Sequence, residues 1–470
     1  MYAKLIDLFS NWLYSYILIV LLLGAGIYFT IRTRFVQFRC LREAIRVVKE
    51  PNGKDSASIS SFQALMVSTA SRVGTGNIAG ISSAICIGGA GALFWMWLTA
   101  ILGSASAFIE STLAQIYKRR AADGSSFGGP AYYIQAVLKT RWLSVIFTIV
   151  LIVTYMGGFN MLAAYNIVDT FKAYSFFDPN STPILIGGIL AIVFLICVFG
   201  GGKQIARVTG VLVPVMGVGY LLVSLLIVAT HWQYLPGVIA SIFKGAFNFR
   251  AIFGGFAGSA IMQGIKRGLF SNEAGVGSAP NAAASAGVSH PVKQGLVQML
   301  SVYIDTLLIC TATALMLLCS GVAPASELAG MTYVHRAMSS ALGSFGGIFI
   351  AFALCLFAFT TLIGNFYYAE MGLDYLCDRH PNPLLTRCFR VLAAAIVCIG
   401  ATMEFSVAWN TADVLMGLMA IINLPVILIL AKPALLCLND YLTQRRAGKD
   451  PEFLAKDIGL KIKTDFWSGI

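Results

Sequence analysis

Long apolar blocks alternate with short polar clusters along this chain. Residues 8–31, 142–168 and 208–243 carry no charged side chain, and each can cross a hydrocarbon core of about 30 Å, for which about 20 apolar residues suffice. None shows the period-2 alternation of barrel strands, so each reads as a helix. Residues 73–109 are also charge-free but too long for one crossing, and "GGAGA" at 88–92 is expected to turn the chain back. The pattern predicts about eleven helices, near 13–31, 58–86, 91–117, 142–172, 183–200, 207–230, 251–275, 294–320, 345–373, 388–403 and 407–431.

Composition sets the class. Of 470 residues, 58% are hydrophobic and 11% charged, with a mean hydropathy of +0.79, outside the range of soluble domains. This predicts an all-α integral membrane protein. The first apolar run lacks a small-residue cleavage site and reads as a retained helix, not a signal peptide. The formal charge of +12 orients the chain and does not imply nucleic acid. Most Lys and Arg fall in the connections 32–55, 118–141, 200–207, 264–293 and 373–392 and in the tail from 432. Lys4, Lys172, Lys244, Arg250 and Arg336 lie on the other face, and Arg72 lies within the membrane. The positive-inside rule then puts the N-terminus outside and the C-terminus in the cytoplasm. The ten cysteines lack CxxC spacing and read as packing groups.

Two blocks carry their own interruptions. "ASRVGTGNIAGISSA", residues 70–84, sets Gly74, Gly76 and Gly80 beside Thr75 and Asn77. A bilayer helix can unwind only where its freed backbone groups meet protein, water or a ligand. Amides at a half-helix N-terminus suit a carboxylate, and carbonyls of the preceding half suit a cation. Close helix packing through small residues is the competing reading. A soluble phosphate loop is excluded, because no strand precedes the glycines. The second interruption, "FGGFAGSAIMQGIKRGLFSNEAGVGSAPNAAASAG" at 253–287, cannot be one smooth helix. Each break opens a group of five crossings once the first helix is set aside, the pattern of inverted-repeat transporters with a midplane site. The expected organisation is an extra helix and basic linker over 1–56, five-helix repeats over 57–231 and 232–431, and a cytoplasmic tail over 432–470. Intramembrane charge is costly, so Lys266, Arg267 and Glu273, with Asn272, are assigned to the cytoplasmic end of the broken helix as an inner gate.

"GTGNIAG", "GALFWMWLTAILG", "GGPAYYIQ", "IKRGLFSNEAGVGSAPNAAASAGVSHPVKQG", "FAFTTLIGNFYYAE" and "WNTADVLMGLMAIINLP" together resemble the alanine or glycine:cation symporter family, over about residues 58–431. The resemblance implies a leucine transporter-like 5+5 fold of the amino acid, polyamine and organocation superfamily, preceded by one extra helix. It implies uptake of a small neutral amino acid with sodium, or protons, across a bacterial or archaeal cytoplasmic membrane, with no cofactor besides the coupling ion. By resemblance the substrate meets Thr75, Gly76 and Asn77 in the first break, Phe159 and Asn160 in the third core helix, and Gly258, Ser259 and Gln263 in the second broken helix. Sodium is expected at the carbonyls of Ala70 and Val73 and the hydroxyls of Thr360 and Thr361. Glu110 is a latch on the amides of a broken helix, and Arg72 a gate or positioning residue. Asp305 is a second cation ligand or an inter-helix hydrogen-bond partner, and Glu370 and Asp413 are structural. Ala163, Ala164 and Tyr165 replace a more polar run usual in the family, which leaves serine and glutamine open as substrates. An ion channel would need a filter-like carbonyl ring, and none appears. A membrane enzyme would need a catalytic motif, and H-E-x-x-H does not occur.

Overall fold

The structure is a computed structural model that describes residues 2–50, 58–121, 124–247, 258–378, 381–460 and 464–467. Eight described helices are long and apolar enough to cross a membrane: α1 (Lys4–Arg32), α5 (Ala92–Ile116), α6 (Arg141–Phe171), α8 (Gly201–Thr230), α12 (Pro291–Cys319), α14 (Ser344–Leu376), α15 (Pro383–Ala401) and α16 (Phe405–Ile429). Between them lie α2 (Leu41–Val48), α3 (Ser61–Arg72), α4 (Gly76–Gly88), α7 (Thr182–Val198), α9 (Leu235–Ala246), α10 (Ala260–Asn272), α11 (Ala279–Ala284) and α13 (Met331–Leu342), and α17 (Ala431–Arg446) follows. Among the described residues the regular elements are helices apart from one antiparallel pair, Arg119–Arg120 with Ser126–Phe127, and an isolated bridge from Ile59 to Ala286. Of the helix expected at 251–275, residues 251–257 lie outside the described residues.

Helices α3 and α10 pack inside the bundle, against α8 and α14 and against α5 and α4 respectively. Helices α7 and α8 form part of the outer wall. Ile196 and Val215 there are 69% and 66% exposed, as a lipid-facing surface requires. The two ends of the bundle differ. At the basic end, Glu43 on α2 pairs with Arg445 on α17 (3.0 Å), Lys293 pairs with Glu50 (2.9 Å), and Lys118 donates to the Ala286 carbonyl (3.0 Å). Described residues of the expected tail pack here as well. Trp467 donates to the Gln115 carbonyl (2.8 Å) and the Phe453 amide to that of Ser289 (3.0 Å). At the opposite end Asn410 donates to Asp7 (3.2 Å) and Trp95 to the Ala246 carbonyl (3.0 Å).

Close approach of α14 to the first interruption depends on glycine. A Cβ on Gly364 would lie 2.8 Å from the Ser71 backbone nitrogen, whereas one on Gly188 would meet nothing within 4 Å. Gly364→Ala should therefore lower the apparent melting temperature in detergent, since overpacking costs about 1–3 kcal/mol. Gly188→Ala should leave it unchanged or slightly raised; equal melting of the two variants would contradict this packing.

Candidate functional site

The first interruption falls at Val73 and Gly74, between α3 and α4. Its backbone is satisfied locally: Asn77 Oδ1 accepts from the Gly74 amide (3.0 Å), and the Val73 amide donates to the Thr69 carbonyl (2.7 Å). From α14, Thr361 donates to the Ala70 carbonyl (3.2 Å), and its hydroxyl fills the space a Cβ on Gly74 would need. Thr360 does not join it. That hydroxyl donates to Phe357 of its own helix (2.9 Å) and faces Met216 on α8, because neighbouring helical residues point about 100° apart.

The second interruption follows α10. Glu273 takes a left-handed conformation (φ 49°), followed by Gly275 (φ 83°) and Gly277 (φ 92°), before α11 resumes. Non-glycine residues hold such φ values only when their surroundings fix them. Tyr155 (2.8 Å) and Ser278 (2.6 Å) both donate to the Glu273 carboxylate. Glu110 on α5 accepts from the Gly275 amide (3.3 Å) and from Asn423 (2.8 Å), whose Oδ1 accepts in turn from Tyr133 (2.5 Å). Asn272 accepts from the Ala274 amide (3.1 Å).

Asp305 ties the two interruptions together. It sits in a wide π-helical turn of α12 (Tyr303–Cys310) and accepts from Asn77 of the first break (2.7 Å), from Ser271 of α10 and from Thr306 (2.9 Å). Two other such turns meet here, Gly76–Gly80 in α4 and Val153–Phe159 in α6. Each carries one extra residue per turn and redirects side chains inward, a feature frequent at functional sites.

Between the breaks lies a cavity of about 10 Å³, lined by Arg72, Gly74, Thr75, Gly76, Phe159 and Phe270 together with Ser71, Glu273 and Thr361. That is room for about one water. Phe270 is its removable wall: a Cβ on Gly76 would lie 2.8 Å from that ring. The ring packs between Phe159 (5.0 Å) and Trp409 (5.2 Å), and the Arg267 guanidinium lies 4.5 Å from the centre of Trp409. Asp413 on α16 accepts from Arg267 (2.6 Å) and pairs with Lys266 (2.9 Å), which also donates to Ser10 of α1 (3.0 Å).

These contacts separate Lys266 and Arg267 from the basic end, where the expected cytoplasmic gate over 266–275 would put them. Lys266 and Arg267 lie near the starts of α1 and α16, at the end opposite the basic one, while Ser271, Asn272 and Glu273 are central. Asp413 offsets one of the two cations, and both line a cavity that Asp7 also lines. Other expected residues are also displaced from the cavity. Ser259 caps α10 by accepting from the Met262 amide (3.2 Å). Gly258 and Gln263 line a separate cavity of about 350 Å³ with Lys266, Arg267 and Trp409. Asn160 points to α14, where it accepts from Asn365 (3.0 Å), which accepts from Ser71 (2.7 Å). Ala163, Ala164 and Tyr165 lie beyond the cavity, and Tyr165 reaches Asp169 (3.0 Å). Phe270, Trp409, Asn423 and Tyr155 were not foreseen as site residues. Asp413 carried the one available signal, an acid inside an apolar helix.

Residues 1–455 match the sequence profile described as the sodium:alanine symporter family. The chain belongs to the sodium:alanine symporter family. Among its relatives, "Probable sodium/glutamine symporter GlnT" of Bacillus subtilis is 44% identical over 97% of this chain and 93% of its own length. "Amino-acid carrier protein AlsT" of the same organism is 43% identical over 98% and 97%. "Sodium/alanine symporter AgcS" of Methanococcus maripaludis is 37% identical over 92% and 95%. A manganese transporter of Eremococcus coleocola shares the fold at 15% identity, with a TM-score of 0.51 over 89% of this chain and 84% of that one. Membership makes this a membrane transporter, and in this sodium:alanine symporter family member the central cavity is lined by residues of both interruptions, Gly74 to Gly76 and Glu273.

The Lys266–Asp413–Arg267 cluster is buried, with two cations on one carboxylate. Asp413→Asn leaves both uncompensated and should destabilise the protein by about 3–5 kcal/mol. Adding Lys266→Met should recover part of that loss. Additive losses, measured by thermal unfolding in detergent, would show that the two side chains are not coupled.

Proposed function

We propose that the protein is a secondary active symporter that imports a small neutral amino acid of the alanine or glycine type with sodium, by alternating access. The central cavity carries this reading. It lies where two interrupted helices meet, bears Arg72 and Glu273 on its wall, and is bounded by the rings of Phe159 and Phe270. Backbone amides around Thr75, Gly76 and Asn77 receive the substrate carboxylate, as half-helix N-termini do. The Glu273 carboxylate offers a counter-charge to the ammonium. Thr361 and Phe270 already fill the space beside Gly74 and Gly76, so a substrate enters only as Phe270 moves, and a small side chain requires the least displacement. Relatives of similar identity are named for glutamine and for alanine, so glutamine and serine belong in any substrate panel.

On this reading Phe270, Trp409 and the Arg267–Asp413 pair form the gate at the end where α1 begins, and Glu110 latches the other half of the second broken helix. Sodium sits at the Ala70 and Val73 carbonyls with the Thr361 hydroxyl; Asp305, accepting from both breaks, is the second cation ligand. The two groups of five crossings, 57–231 and 232–431, act as inverted repeats, with α1 outside them. The N-terminus faces outward and the basic end faces the cytoplasm of a bacterial or archaeal cell. An inward cation gains about 2.3 kcal/mol per 100 mV of membrane potential, which supplies the driving force.

Uptake of radiolabelled amino acids into proteoliposomes under imposed sodium or proton gradients tests the reading. Gly76→Val should abolish uptake while leaving insertion intact, because its side chain occupies the space of the Phe270 ring; normal transport by the inserted variant would remove this cavity from the transport path. Thr361→Val should raise the sodium concentration for half-maximal uptake about tenfold or more, since losing a charge-assisted contact costs about 1.5–3 kcal/mol. Saturating sodium should then restore most of the substrate affinity, because coupling between ligands is reciprocal. Thr360→Val should stay close to the wild type, and the opposite ranking of the two variants would relocate the ion.

A further inference from the structure

A second cavity, of about 160 Å³, opens at the basic end between the turn that follows α1 and helix α17. Arg32, Arg34, Arg39 and Arg446 line it, with Asn439 and Thr443 beside them, and leucines of α17 complete its wall. No carboxylate lines it. The acidic groups nearby face partners of their own: Glu43 pairs with Arg46 (2.8 Å) and Arg445 (3.0 Å), Glu50 with Arg46 (3.0 Å) and Lys293 (2.9 Å), and Asp440 accepts from Gln444 (2.9 Å). Among the described residues the four arginines lining the cavity have no carboxylate partner, although Arg32 lies 6.0 Å from the centre of the Tyr28 ring. Four guanidinium groups around one hollow repel one another unless an anion joins them.

The turn that presents Arg34 is itself unusual. Helix α1 ends in a Schellman motif, with the Phe35 amide donating to the Thr30 carbonyl (2.8 Å) and the Arg34 amide to that of Ile31 (3.0 Å). Arg34 occupies the left-handed position at φ 53°, and Phe35 follows at φ 59°. Glycine is the usual residue at that position, since a side chain there costs about 1 kcal/mol. Here an arginine sits there, facing the cavity.

The surface beside the cavity points to the source of the anion. Ile31, Phe35, Phe38 and Ile429 are 61%, 52%, 57% and 69% exposed. Such an apolar fringe at the end of a membrane span lies against acyl chains, so the arginines stand at headgroup depth. We propose that this cavity binds the phosphate of an anionic phospholipid, with its acyl chains along Ile31, Phe35 and Phe38. Arginine favours this ligand because its planar fork makes bidentate contacts to phosphate.

The test uses full-length protein in detergent, titrated with phosphatidylglycerol, with phosphatidylcholine and with inorganic phosphate, with bound lipid counted by native mass spectrometry. Phosphatidylglycerol should bind at least about tenfold more tightly than phosphatidylcholine. Arg34→Gly with Arg446→Gln should weaken that binding about thirtyfold, at about fivefold per charge removed. Arg34→Gly alone keeps the experiment decisive if the double variant folds poorly, because glycine suits the turn; about fivefold is expected. Arg207→Gln, exposed elsewhere at the basic end, should change nothing. Equal affinity for the two lipids, or wild-type affinity in Arg34→Gly, overturns the proposal. Displacement of phosphatidylglycerol by inorganic phosphate at matched concentration overturns it too, since the site would then serve a free anion.

Discussion

A backbone amide or carbonyl left unpaired in hydrocarbon costs several kcal/mol, and this molecule interrupts two helices at its centre. Nearly every contact around the cavity follows from that constraint. At the first interruption Asn77 folds back onto the Gly74 amide while Thr361 meets the Ala70 carbonyl. At the second, Glu110 takes the Gly275 amide and Asn423 the Gly275 carbonyl (3.0 Å). Neither set of partners comes wholly from the broken helix itself. Each interruption is therefore stable only while α5, α14 and α16 are in place, which couples the centre to the scaffold around it.

The same partners concentrate charge. Glu110, Glu273 and Asp305 are all buried and all interact electrostatically with one cation, Arg72. Arg72 donates to Ser301 (2.9 Å), and its Nε and Nη2 have no partner among the described residues. Among the described residues three acids therefore surround one guanidinium. On the proposed reading a sodium ion arriving there meets more carboxylates than cations, whereas a zwitterionic amino acid brings no net charge of its own.

The interruptions were legible in the sequence because glycine, threonine and asparagine, clustered inside a charge-free block, weaken a membrane helix at the place where they sit. The depth of the second one was not. Placing 266–275 at an interface assumed that charges seek water, which holds for an unpaired lysine or arginine. Asp413, 146 positions after Arg267, offsets one of the two cations, and no local pattern announces a partner so distant. The choice between Thr360 and Thr361 depends on helix rotation, which composition does not record. Helices α9, α13 and α17 escaped notice because they are shorter than a membrane crossing and mix polar with apolar residues. The π-helical turns have no sequence signature at all, yet they aim Asp305, Phe159 and Asn77 at the centre.

The two ends of the cavity are closed by different means, and the difference bears on how the molecule opens. Toward the start of α1 the closure is one ring, Phe270, packed at a tilt against Trp409 and braced by Arg267 and Asp413. Toward the basic end it is a network. Glu110, Asn423 and Tyr133 hold the unwound segment after α10. Ile59 bridges to Ala286, Gln115 donates to the carbonyl of that same residue (2.9 Å), and the tail residue Trp467 covers Gln115. A ring swing needs one rotamer change and the loosening of one ion pair that gains water as it separates. Opening the basic end requires several buried hydrogen bonds to break together, and each leaves a costly orphan until water enters. Both ends are closed around a cavity that holds about one water. On the proposed reading the easier motion from this conformation is toward the end where α1 begins, and ligands in the cavity supply the binding energy that releases the other.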